Sequence, residues 1–131
     1  MKHLYELPTD DVIINCLAND VIDRNQDVVN FCSIIDSFKY STIVSLDGSW
    51  GSGKTFFVKQ VKMLIDEKCN PSTLDKHVLE GLSRALGANP GLYQNLSFIR
   101  KHSTVYYDAW QNDDDTDPIL SILFSVINQN K

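Results

Sequence analysis

The sequence predicts an α/β fold, a parallel sheet flanked by helices, and three observations predict it. Thr42-Ile43-Val44-Ser45-Leu46 and Thr104-Val105-Tyr106-Tyr107-Asp108 are short, rich in β-branched and aromatic residues and almost continuously apolar, as strands covered on both faces are. Stretches with apolar residues at helical spacing lie before, between and after them. A glycine-rich turn, Asp47 to Gly53, joins the first strand signal to one of those helices.

The elements follow in chain order. Asp11-Val12-Ile13-Ile14-Asn15 reads as a short strand or an extended arm. From Asp20 to Phe38, apolar residues at Val21, Val28, Phe31, Cys32, Ile35 and Phe38 describe one face of a helix, with Asp20 as its N-cap. After the first strand and its turn, a helix is predicted from Lys54 to about Lys68. Phe57, Val61, Leu64 and Ile65 form its inner face, Lys59, Lys62 and Lys68 reach water, and Asn70-Pro71-Ser72 ends it. Two further helices, Leu74 to Leu86 and Leu92 to Arg100, flank the turn Ala88-Asn89-Pro90-Gly91. The second strand runs into Ala109-Trp110-Gln111 and an acidic loop. Asp117-Pro118 then supplies an N-cap and a proline at the first helical position. The last helix, Ile119 to about Asn128, is apolar almost all round and calls for cover on every side.

With 131 residues and 43% hydrophobic residues, the chain is long enough for one domain with a buried core. Its formal net charge of -5 argues against a general nucleic-acid coat or an anionic-membrane binder, both of which need surplus cations. No apolar run approaches the roughly 18 residues of a membrane span, and the N-terminus lacks the apolar stretch of a signal peptide. Cys16, Cys32 and Cys69 are odd in number and far apart. They imply reduced thiols of a cytoplasmic protein rather than a disulfide or metal framework.

The strongest motif is Gly48-Ser49-Trp50-Gly51-Ser52-Gly53-Lys54-Thr55, a full match to GxxxxGK[ST] between a strand signal and a helix signal. Glycines let the backbone turn tightly and bring N–H groups to phosphate oxygens with no Cβ in the way. The helix that opens at Lys54 adds the positive end of its dipole. Lys54 supplies a mobile charge for the β- and γ-phosphates, and the Thr55 hydroxyl is placed to ligate Mg²⁺. The predicted ligands are therefore ATP and Mg²⁺, bound by residues 48–55.

Two features narrow the identity. The loop carries a tryptophan, and the later strand ends in Tyr107-Asp108-Ala109-Trp110-Gln111, followed by Asp117-Pro118 and an apolar helix. In this order they resemble the KAP family of P-loop NTPases, and Asp20-Val21-Ile22-Asp23-Arg24 resembles that family's lead-in. The likeness spans roughly residues 20 to 127. It implies a P-loop NTPase fold with ATP held by Gly48, Gly51, Gly53, Lys54 and Thr55, and a lead-in near Arg24 beside the nucleotide base. Many members carry membrane spans before the Asp-Ala-Trp strand; here residues 70–103 are polar, so the likeness is to a soluble variant, cytoplasmic or membrane-associated through other parts.

On this reading residues 1–41 form an arm and lead-in helix, and residues 42–131 form the N-terminal part of the P-loop NTPase domain. A Walker B strand, apolar and ending in an acid, is not evident: Asp108 ends the one apolar run that could serve, but the resemblance implies that this segment is a different strand and that the apolar-Asp-Asp Walker B lies further downstream. Lys54 and Asp108 are thus the candidate catalytic residues. No Lys or Arg lies between Lys101 and Lys131, so no arginine finger comes from there. With two or three strands the domain reads as an incomplete N-terminal half: a fragment whose hydrolysis needs absent segments, or a non-hydrolysing module working with a partner chain. A homo-oligomer or partner protein would then cover the apolar last helix. A small P-loop metabolite kinase is the remaining alternative.

Other residues have plainer readings. Trp50 either closes over the nucleotide or docks on a neighbouring helix, and Trp110 anchors a strand end. Asp113, Asp114 and Asp115 form a solvated acidic loop, with Asp117 as helix cap. His3, His77 and His102 read as isolated surface residues.

Overall fold

The computed structural model describes residues 8–20, 23–48, 53–94, 96, 99–109 and 117–129. Six helices account for most of them: α1 (Asp10–Asn19), α2 (Asn25–Ser37), α3 (Lys54–Cys69), α4 (Lys76–Ala88), a single turn α5 (Pro90–Tyr93) and α6 (Pro118–Gln129).

The segment read as a strand or arm is the helix α1. Thr9 caps it by accepting from Val12 N, Asp10 and Asp11 favour the positive end of its dipole, and Ile13, Cys16 and Leu17 are buried together at spacings of three and four. Its C-terminus stops at Asp20, which takes the left-handed conformation (φ 49°) and bonds Cys16 O through its backbone N–H. Asp20 also accepts from Asn25 N at 3.0 Å. The residue expected to cap the second helix therefore ends the first and receives the opening N–H of the next, so α2 starts at Asn25.

The core is formed where α1 lies on α3 and α4, and α2 on α3. Leu17, Val28, Leu64, Leu82 and Leu96 are fully enclosed in one cluster with Ile13, Val29, Cys32, Ile65 and Ala85. Gly81 lets α1 approach closely, since a Cβ there would meet Ile14 Cδ1 at 3.1 Å. Phe31 and Phe57 meet edge to face at 5.4 Å across the α2–α3 seam. Inside the core, the Asn25 amide reaches Cys16 O, Leu17 O and the Tyr93 hydroxyl at 2.9–3.1 Å, and Tyr93 donates to Leu17 O. Burial pushes the Tyr93 hydroxyl up to about 12, and the Cys32 thiol likewise to about 12, which leaves that thiol inert.

The parallel sheet is not observed: among the described residues there is no strand. Strands need neighbours for their backbone hydrogen bonds, and neither apolar segment has one. Residues 42–46 are exposed, with Ile43 98% accessible. Residues 99–108 are extended, but their backbone groups are taken by side chains. Asp36 accepts from Arg100 N (2.8 Å), Asn70 donates to His102 O (2.7 Å), and the Gln129 amide bonds both the N–H and the carbonyl of Tyr106 (2.9 and 2.7 Å). Of the helix expected from Leu92 to Arg100, the described residues show α5 and 3₁₀ turns at Gln94 and Leu96, and Ile99 and Arg100 are no longer helical, Arg100 being held by α2.

That anchorage is acid-sensitive. The hydrogen bond with His102 (2.7 Å) and then the Arg100 amide hold the Asp36 carboxyl below its ordinary value. A depressed carboxyl contributes stability that is complete above its unfolded value, about 3.9, and is lost as pH falls through the folded one. In urea titrations repeated from about pH 5 down to about pH 2, the Asp36→Asn midpoint is expected to fall less than the wild-type midpoint. Parallel curves would contradict this anchorage.

Candidate nucleotide site

The start of α3 leaves backbone N–H groups unused by the helix. Gly53 takes φ +87°, a conformation that L side chains rarely adopt, and turns the chain into the helix. Phe57 N bonds Gly53 O at 2.9 Å, so the N–H groups of Lys54, Thr55 and Phe56 precede the first intrahelical bond. Gly53 provides no side-chain cap and no acidic residue occupies the first turn. Three N–H groups and the positive end of a 16-residue helix thus face the loop.

Lys54 Nζ donates to the Gly48 carbonyl, which folds the side chain back over the loop it belongs to. The Lys54 ammonium thus ties the start of α3 to Gly48. Thr55 lies exposed on the same first turn. Ser49, Trp50, Gly51 and Ser52 lie outside the described residues. So do Trp110, Asp113, Asp114, Asp115 and His3.

Arg24 and Gly53 line one cavity together with Cys16, Asn25, Phe56, Phe57 and Gln60. Its volume, about 20 Å³, has room for a single water and not for a purine. The lead-in therefore reaches the loop helix, and among the described residues this cavity is too small for a base.

Asp108 ends an extended segment that lies on α3 and runs towards the Lys54 end of it. Cys69 Sγ donates to Arg100 O, Asn70 to His102 O, and Thr104 Oγ1 to Asp66 Oδ1, while Lys59 sits 4.9 Å from the centre of the Tyr106 ring. Burial and then the Asp108 charge raise the Tyr106 hydroxyl above its ordinary value. Lys62, expected to point freely to water, bonds Asp66 at 2.7 Å and Thr104 at 3.0 Å. Asp66, only 5% exposed, was not singled out by the sequence; its signal was the i, i+4 spacing from Lys62.

Two histidines read as isolated are paired instead: His77 lies 2.9 Å from Asp11 and His102 lies 2.7 Å from Asp36. Asp117 is the helix cap the sequence predicted, accepting from Ile119 N at 3.0 Å. Among the described residues no cluster of His, Cys, Asp and Glu could hold a metal by itself, all three cysteines are free thiols, and no helix is long and apolar enough to cross a membrane.

The family model of the KAP family P-loop domain matches residues 24–130, which take in the loop, α3, the Asp108 segment and α6. Neither a curated protein nor a solved structure matches the chain. That match covers most of the sequence: the chain belongs to the KAP family of P-loop NTPases and carries its nucleotide-binding P-loop domain.

Proposed function

We propose that the chain binds Mg-ATP through residues 48–55. The observation that carries this reading is the uncapped start of α3, where three N–H groups and the Lys54 ammonium converge beside a left-handed glycine. The backbone N–H groups hold phosphate oxygens by charge-assisted hydrogen bonds. Lys54 exchanges its bond to Gly48 O for the β- and γ-phosphates, so binding opens an internal contact rather than ordering a free side chain. The exposed Thr55 hydroxyl takes a Mg²⁺ position. The metal, when bound, neutralises charge on the phosphates. Asp108 is the proposed acid on the metal side, supported by the direction in which its segment runs along α3.

A fluorescent ATP analogue titrated into the chain, with Mg²⁺ or with a chelator, tests the reading. Asp108→Asn is expected to leave binding in chelator unchanged and to raise the Mg²⁺ concentration required on the order of tenfold. Equal Mg²⁺ dependence of the two proteins would remove Asp108 from the site.

A second reading, a nucleotide-binding module that works against another polypeptide, is favoured by α6. Ile119, Leu123, Phe124 and Ile127 are each more than half exposed on it, and none of its side chains is buried. This apolar exposure supports a non-hydrolysing nucleotide-binding module that works with a partner chain.

A further inference from the structure

We propose that the cavity between the α1–α2 junction and the start of α3 is a buried-water site, in which one water bridges the Gln60 amide and the Asn25 side-chain oxygen. The bridge ties that junction to the loop helix, however residues 48–55 bind their ligand.

Gln60 carries a polar group where the fold offers it no direct partner. With Gly53, Phe56 and Phe57 it lies at helical spacing along one side of α3, and all four line the cavity. Gln60 is 7% exposed, and among the described residues its side chain makes no hydrogen bond. Leaving a buried amide unpaired is costly, and an apolar residue of similar volume would pack in the same place without that cost. Packing alone therefore does not account for Gln60. Asn25, 3% exposed, lines the same cavity. Its side-chain nitrogen is committed to Cys16 O, Leu17 O and the Tyr93 hydroxyl. The two carbonyls can only accept, so they fix which arm of the amide is nitrogen. The oxygen arm diverges from them, and among the described residues it accepts no hydrogen bond.

The space between these residues fits its occupant. The cavity of about 20 Å³ exceeds the roughly 10–15 Å³ that one water requires. An apolar hole of this size would stay dry, whereas water settles where it gains at least two polar partners. Here it donates to Asn25 Oδ1 and bonds the Gln60 amide, with Arg24 on the same wall. The result is a continuous polar chain. The Asp20 carboxylate accepts from Asn25 N at 3.0 Å, the Asn25 amide holds carbonyls of the last turn of α1, and the water carries the chain on to Gln60. Further along the seam α2 rests on α3 through apolar contacts such as Phe31 on Phe57. At the Gly53 end the water is the link.

The test uses the full chain, wild type and Gln60→Met, which keeps the length and nearly the volume of the side chain but removes the amide. Two quantities are read: the content of the cavity in crystal structures that show bound water, and amide exchange at Asn25 relative to Leu64 in the enclosed core. In wild type a water is expected within hydrogen-bond reach of both the Gln60 amide and Asn25 Oδ1. In Gln60→Met the water is expected to be lost, and Asn25 to exchange on the order of tenfold faster relative to Leu64. A dry cavity in wild type, or a water there that bonds neither residue, overturns the site, and this arm stands on the wild-type chain alone. A water that persists in Gln60→Met removes Gln60 from the site. An unchanged ratio of Asn25 to Leu64 exchange overturns the tie between the α1–α2 junction and the loop helix.

Discussion

Lys54→Ala is expected to raise the dissociation constant for Mg-ATP at least about a hundredfold, equivalent to ~3 kcal/mol. Two effects combine. A charge-assisted hydrogen bond from an ammonium to a phosphate oxygen contributes about 1.5–3 kcal/mol, and in the proposed complex this ammonium serves two phosphates. Its loss also leaves the backbone N–H groups of α3 to balance the phosphate charge alone. The fold gives little reason for collateral damage. Lys54 is half-buried at a helix start, its ammonium bonds the Gly48 carbonyl, and alanine is the best helix former. The variant should therefore melt close to wild type without nucleotide and lose the nucleotide-dependent rise in Tm that mass action predicts for a ligand binding only the folded chain. Calorimetric titration and a thermal melt check both halves. Undiminished binding by Lys54→Ala would remove the phosphate site from the loop.

Leu64→Ala is the second large effect and concerns stability. Leu64 is 0% exposed, on the face of α3 that meets α1 and α2. Truncating a leucine at such a site removes its transfer free energy and leaves a cavity that packed helices close only in part, costing about 2–5 kcal/mol. A domain of this kind has about 5–15 kcal/mol in total, so the loss is a large fraction of it. The urea midpoint followed by circular dichroism should fall steeply with little change in slope. Phe124→Ala removes more atoms, but Phe124 is 60% exposed on α6, and its cost should stay within about 0.5 kcal/mol. A Phe124→Ala loss equal to that of Leu64→Ala would mean that α6 is covered in solution.

Elements carrying their own local signal were legible in the sequence. Lys54 to Lys68 was expected as a helix and α3 spans Lys54–Cys69, because its apolar spacing, its glycine start and its Asn-Pro stop agree. Asp117-Pro118 opened α6 for the same reason. The loop helix was placed correctly, and Gly53, Lys54 and Gly48 came together there. The two expected strands failed because they depended on partners distant in sequence. A run such as Thr42–Leu46 becomes a strand only if a neighbour takes its backbone groups. The run Thr104–Asp108 gave those groups to Asn70 and Gln129, which no local pattern reveals. Helix α1 was misread because Ile13 and Ile14 favour strands, while the signal that decided was the Thr9 cap followed by two aspartates. Lys62 looked solvent-bound because its partner Thr104 lies 42 residues away.

In the proposed complex, backbone N–H groups at the start of α3, with Lys54, hold the phosphates of a nucleotide. Amide chemical shifts measured during titration with Mg-ATP, and separately with adenosine, test it most directly. Large shifts are expected at Gly53, Lys54, Thr55 and Phe56 with Mg-ATP, and negligible ones with adenosine at the same concentration. Shifts of equal size with both ligands, or none at these four amides, would contradict it.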